Sequence, residues 1–199
     1  MKKILMTLAA ALCCALMFTA CQKPAGNDDT KQEEQPQEEA TTLDDLAAQI
    51  AKVVVEYQFL TTEDLLGFFN FNLEYLDVTT GNKITEKISA TEFKKVFDNA
   101  SLPLNMGYNL TTTLKEGKTI DDVKAASSVS YITPEPSVWI SMYDKDNKLI
   151  GDGGHRFNAI GHVTMSGEKL AKRFTDGNFN KSYFESVNEK GSGQKGSWK

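Results

Sequence analysis

Phe69-Asn70-Phe71-Asn72-Leu73-Glu74-Tyr75 sets a large apolar side chain at every second position and a polar one between. Successive side chains of an extended chain point to opposite faces, so this stretch predicts a strand with one buried and one wetted face. Thr79-Thr80-Gly81-Asn82 then reverses the chain into a second strand over Lys83 to Ala90. Downstream, Leu104, Met106, Tyr108 and Leu110 alternate within Leu104 to Leu114, until Lys115-Glu116-Gly117-Lys118 turns the chain. Ser127 to Thr133 reads as another strand, ended by Pro134 and Pro136, neither of which suits the middle of a sheet. Ser137 to Tyr143 and Lys148 to Gly151 form a hairpin about Asp144-Lys145-Asp146-Asn147, with Val138, Trp139, Ile140, Met142 and Leu149 as core candidates.

Upstream, Leu43, Leu46, Ala47 and Ile50 recur at helical spacing behind Thr41-Thr42, whereas Val53, Val55, Tyr57 and Phe59 alternate. The change of period predicts a short helix over 43–51 and a strand over 52–60. Thr61-Thr62-Glu63-Asp64 before Leu65-Leu66 reads as a turn or a single helical turn, Phe93 to Phe97 fits a short strand or a helix, and 119–125 is a polar connection of helical character. Ser166-Gly167-Glu168-Lys169 opens a short helix. Short strands separated by turn residues predict a mostly β fold, an antiparallel β-sandwich with short peripheral helices, over one domain at 43–187. Residues 188–199, with Gly191, Gly193 and Gly196 among Ser, Gln and Lys, read as a flexible tail.

The amino terminus is of another kind. Met1-Lys2-Lys3 precedes an apolar run from Ile4 to Ala20, interrupted by Thr7 and Thr19 and closed by Cys21, the order of a secretory signal. Residues 1–20 are therefore read as a signal peptide cleaved between Ala20 and Cys21. Phe18-Thr19-Ala20-Cys21 resembles the lipobox of bacterial lipoproteins, which implies that Cys21 carries the lipid. A retained helix, at the lower limit of the roughly 17–25 residues that span a bilayer, would give no reason for a cysteine at its edge. Two or more acyl chains hold a protein stably at a membrane. Cys13 and Cys14 leave with the signal, so the mature chain keeps no cysteine for a disulfide, thiol nucleophile or thiolate metal site.

Loss of Lys2 and Lys3 takes the net charge from −5 to −7. That charge argues against nucleic acid, whose phosphates need clustered cations. Residues 21–42 carry Asp28, Asp29, Glu33, Glu34, Glu38 and Glu39 with almost nothing apolar, and are read as a disordered acidic tether. Asp28-Asp29 is similar to the acidic signal that sends Bacteroidota lipoproteins to the cell surface, which implies an outer-membrane, surface-facing location. The segments Val53–Val78, Leu102–Gly117 and Tyr143–Gly154 resemble small Bacteroidota cell-envelope lipoproteins with an immunoglobulin-like sandwich, a family that implies no catalytic residues.

Candidate sites are few. Asp144-Lys145-Asp146-Asn147-Lys148 begins like a calcium loop, but Lys148 stands where an oxygen is needed and the loop glycine is missing, so a hairpin turn is expected. His155, His162 and Asp152 match no common metal-ligand spacing. Gly151-Asp152-Gly153-Gly154 precedes no helix that would aim amides at a phosphate and is read as a bulge or turn. Trp139 is expected in the core. No catalytic, metal or cofactor residue is assigned and no cofactor is expected. The function expected is a lipid-anchored module binding a protein or glycan in the envelope. The alternative is an envelope hydrolase, which a pocket holding His155 or His162 beside a carboxylate would favour.

Overall fold

In a computed structural model, residues 42–157 and 161–199 are described. Residues 1–41, which hold the expected signal peptide, cleavage site at Ala20 and Cys21, and tether, lie outside them. Ala40–Lys199 form a unit of their own.

Thr42 opens α1 (Leu43–Ala47) through a reciprocal cap, its hydroxyl accepting from Asp45 N–H while the Asp45 carboxylate accepts from Thr42 N–H. The chain then enters β1 (Lys52–Leu60), α2 (Glu63–Phe68), β2 (Phe69–Leu76), β3 (Lys83–Ile88), β4 (Glu92–Ala100) and β5 (Leu104–Leu114). After α3 (Ile120–Lys124) come β6 (Val129–Tyr131), β7 (Ser137–Tyr143), β8 (Leu149–His155), β9 (Val163–Met165), α4 (Gly167–Thr175), β10 (Lys181–Val187) and β11 (Gly193–Lys195). β1 begins at Lys52, where the alternation begins, but α1 ends at Ala47, four residues short of the expected 43–51, and the ambiguous Phe93–Phe97 lies in a strand.

One sheet runs β4-β1-β7-β8, a second β11-β10-β5-β2-β3, and β6 pairs with β9 apart from both. Every pairing is antiparallel. The pairings β1 with β4, β2 with β5 and with β3, and β5 with β10 follow an immunoglobulin-like order, with β7 and β8 extending the first sheet. Between the sheets lie Val55, Tyr57 and Phe59 from β1, Phe71, Leu73 and Tyr75 from β2, and Met106, Tyr108 and Leu110 from β5, all buried. Tyr57 lies 5.1 Å from Tyr75 between ring centroids and Phe59 lies 5.4 Å from Phe71. The Tyr57 hydroxyl accepts from Gly107 N–H at 3.2 Å, which ties the two sheets across the core.

Below β2 a second aromatic group forms, with Phe69 4.8 Å from Phe174 and 5.2 Å from Phe179. Here α4 meets α3 so closely that a Cβ at Gly167 would stand 2.0 Å from the Val123 carbonyl oxygen, and Gly167 N–H donates to Ala126 O.

Three expectations are corrected. Residues 188–199 are not a free tail: β11 pairs with β10, and Trp198 Nε1–H donates to Glu74 while Lys83 covers its ring. Gly151–Gly154 makes no turn but lies within strand β8, and the expected bulge falls at its edge, where Ile150 is skipped between Leu149 facing Tyr143 and Gly151 facing Met142. Trp139 lies on the outer face of β7, half-buried under the Arg156 guanidinium at 5.0 Å, because Val138, Ile140 and Met142 take the inner positions.

Candidate functional site

The cleft that joins β1, α2, β4 and β6 is built from ordinary end-of-element chemistry. Thr61 continues the β1–β4 pairing by donating its N–H to Thr91 O, which fixes the next residue at the start of α2. Thr62 caps that helix by accepting from Leu65 N–H, and its hydroxyl donates to Ser130 O at 2.7 Å. Two residues later the Asp64 carboxylate accepts from Ser130 N–H at 2.6 Å. Both backbone groups of Ser130 are thus held by the first turn of α2, and β6 is held against it. Ser130 Oγ in turn meets His162 Nδ1 at 3.2 Å.

The resulting cleft has a volume of about 380 Å³, with Leu60, Thr61, Glu63, Asp64, Glu92, Ser130, Ile132 and His162 among its lining residues. Glu63, Asp64 and Glu92 are exposed carboxylates, whereas Leu60 and Ile132 supply apolar wall. Thr61 is 2% exposed, and its Oγ1 is a buried side-chain atom with no hydrogen-bond partner among the described residues. Such an orphan costs about 1–3 kcal/mol of stability, and native proteins hold few of them.

The other histidine belongs to a different place. His155, at the inner side of the end of β8, has Nε2 2.9 Å from Glu135 Oε1, and Lys181 Nζ lies 3.8 Å from the other carboxylate oxygen. Its ring lies 5.2 Å from Tyr183 and 6.1 Å from Tyr108. Tyr183 donates to the buried Glu185 carboxylate. Burial pushes both phenols above their ordinary range, reinforced for Tyr183 by Glu185 and for Tyr108 by the Glu135 charge. This polar group links the end of β8 and Glu135 to β10.

The residues singled out in the sequence are therefore not gathered together. Asp152 turns to Arg156 at 3.5 Å, His155 to Glu135, and His162 to Ser130. Among the described residues no three of His, Cys, Asp or Glu form a group able to hold a metal ion. Asp144 closes its hairpin by accepting from Asp146 N–H and Lys148 N–H, both at 2.9 Å, and Asn147 takes a φ of 59°. Sequence reading missed Thr61, Ser130 and Glu135. Thr62-Glu63-Asp64 carried the helix-start signal, but nothing near Ser130 announces its partner. Compared with known proteins, the chain matches no family model, no curated protein and no solved structure.

Proposed function

We propose that this chain is a lipid-anchored envelope protein whose β-sandwich is a binding module, with the cleft at α2 and β6 as its ligand site. The observation that carries the reading is the cleft itself. Rigid elements frame it, backbone groups are already paired around Ser130, and Leu60 and Ile132 stand beside polar side chains on its walls. A preformed concavity with apolar walls and a few polar groups is what ligand sites share. Cys21 supplies the anchor, the acidic tether spaces the domain from an outer membrane, and the partner is a protein or glycan of the envelope.

Two measurements test this. Cys21→Ala should move the protein from the membrane to the aqueous fraction and abolish palmitate labelling; unchanged retention together with an unlabelled parent would refute the anchor. Purified protein should turn over no ester, peptide, glycoside or phosphoester.

The cleft holds His162 together with the Glu63, Asp64 and Glu92 carboxylates, the arrangement expected of the hydrolase, and one contact supports that second reading further. A hydroxyl within hydrogen-bond reach of an imidazole is the start of a nucleophile–base pair, and Ser130 and His162 make that contact at 3.2 Å. The nearby Asp64 carboxylate, however, is engaged by Ser130 N–H. Turnover abolished by both Ser130→Ala and His162→Ala would establish the hydrolase.

A further inference from the structure

We infer that the outer face of the second sheet carries a further site, a cleft at β5, β10 and β11 that takes a neutral glycan. It shares no lining residue with the cleft at α2 and β6.

Leu104 and Met106 face the core, as do Glu185 and Val187, so Asn105 and Ser186 between them point outward. Asn105 stands opposite Ser186, and Ser186 opposite Gln194. Three adjacent strands thus set amide, hydroxyl and amide in one row, neighbours about 4.8 Å apart. The cleft over this row measures about 430 Å³, and Pro103 and Ser192 also line it. Small-molecule sites run from roughly 300 to 1,000 Å³.

None of the described residues lining the cleft is charged, in a chain of which 25% of the residues are. Lys195, the next residue of β11, turns to the opposite face, its ammonium 5.9 Å from the Tyr183 ring. A ligand without charge is the complement. Side-chain amides offer donors and an acceptor and a serine hydroxyl offers both, so each can meet a sugar hydroxyl, itself donor and acceptor. Asn105 and Gln194 are exposed. Asn188 Oδ1 accepts from Lys190 N–H and Ser192 N–H, which fixes the turn that carries Ser192. Two residues along β10 on the same face, the half-buried Phe184 stands opposite Gly107 and adds aromatic surface suited to the C–H side of a sugar ring. A row of amides and hydroxyls favours a glycan over a peptide, whose recognition draws on pockets for apolar side chains or on charges.

The test is calorimetry and side-chain amide NMR on the full-length chain in a non-ionic detergent without a sugar headgroup. Maltotriose, cellotriose, mannotriose and chitotriose are the neutral probes, and trigalacturonate is the charged counterpart. At least one neutral probe should bind saturably and shift the side-chain amide signals of Asn105 and Gln194, and trigalacturonate should not. Asn105→Ala and Gln194→Ala should each weaken that binding about threefold to tenfold, the loss of one neutral hydrogen bond. Both residues are exposed, so the melting temperature should hold. No saturable binding of any neutral probe, equal binding of trigalacturonate or of N-acetyl-trialanine amide, or binding indifferent to both substitutions would overturn the inference. Glycan binding that shifts signals around Ser130 instead would put the ligand in the cleft at α2 and β6, and would likewise overturn this second site.

Discussion

Thr61→Val tests whether a buried hydroxyl without a partner costs the fold stability. Valine has nearly the shape of threonine and suits the extended backbone that continues β1, so the substitution removes the hydroxyl and opens no cavity. Thr61 is 2% exposed and Oγ1 has no partner, so folding strips water from it and returns nothing. An unsatisfied buried polar group costs about 1–3 kcal/mol, and the variant should be more stable by up to that amount. In a domain of this size each kcal/mol raises Tm by about 2–4 °C. Thr112→Val is the control. Thr112 is 6% exposed, but its hydroxyl donates to Phe179 O at 2.9 Å, so the same chemical change should destabilise, orphaning that carbonyl at a cost of about 1–3 kcal/mol. Urea unfolding with unchanged m reads both differences. Destabilisation of Thr61→Val by more than about 1 kcal/mol would refute the reasoning, because the hydroxyl would then be satisfied in the folded protein.

Other expectations follow from close contacts and caps. Gly167→Ala drives a methyl group to 2.0 Å from the Val123 carbonyl oxygen, so α3 and α4 must separate; a loss of about 2–3 kcal/mol is expected in urea unfolding, and a neutral result would refute that packing. Tyr57→Phe leaves Gly107 N–H buried and unpaired between the sheets and should cost about 1–3 kcal/mol by the same measurement. Asp77 accepts from the Thr79 hydroxyl and from Thr79 and Thr80 N–H, which holds its carboxyl below the ordinary range near about pH 4. Its folded-state proton affinity is lowered, so its contribution is complete above the unfolded value and lost as pH falls through the folded one. Carboxyl NMR should place the Asp77 midpoint below that of an exposed carboxylate, and Asp77→Asn should flatten the acid limb of the stability curve.

The elements of the sandwich were legible wherever one face of a strand is uniformly apolar. Phe69–Tyr75, Val53–Phe59 and Leu104–Leu110 alternate because their inward neighbours are all buried side chains, and burial enforces the period. β10 was not legible for the converse reason. Its inward positions include Lys181, Tyr183 and Glu185, polar groups accepted there because Glu135, His155 and one another satisfy them across the sandwich. β11 is too short and glycine-rich to show any period, and it forms because β10 presents an edge for it to pair with. Trp139 shows the limit of hydrophobicity as a guide, since register placed it outside while its smaller neighbours face in.

The amino acid order alone determined the class of fold, the turns and the start of β1 at Lys52, all of which depend on side chains close together in the chain. Tertiary structure alone decided the cleft. Thr62 and Ser130 are separated by 68 positions, Asp64 and Ser130 by 66, and Ser130 and His162 by 32. No local period couples residues so far apart. Their meeting follows from α2 laying its first turn against β6, and a hydroxyl left without a partner exists only once that packing has excluded water from it.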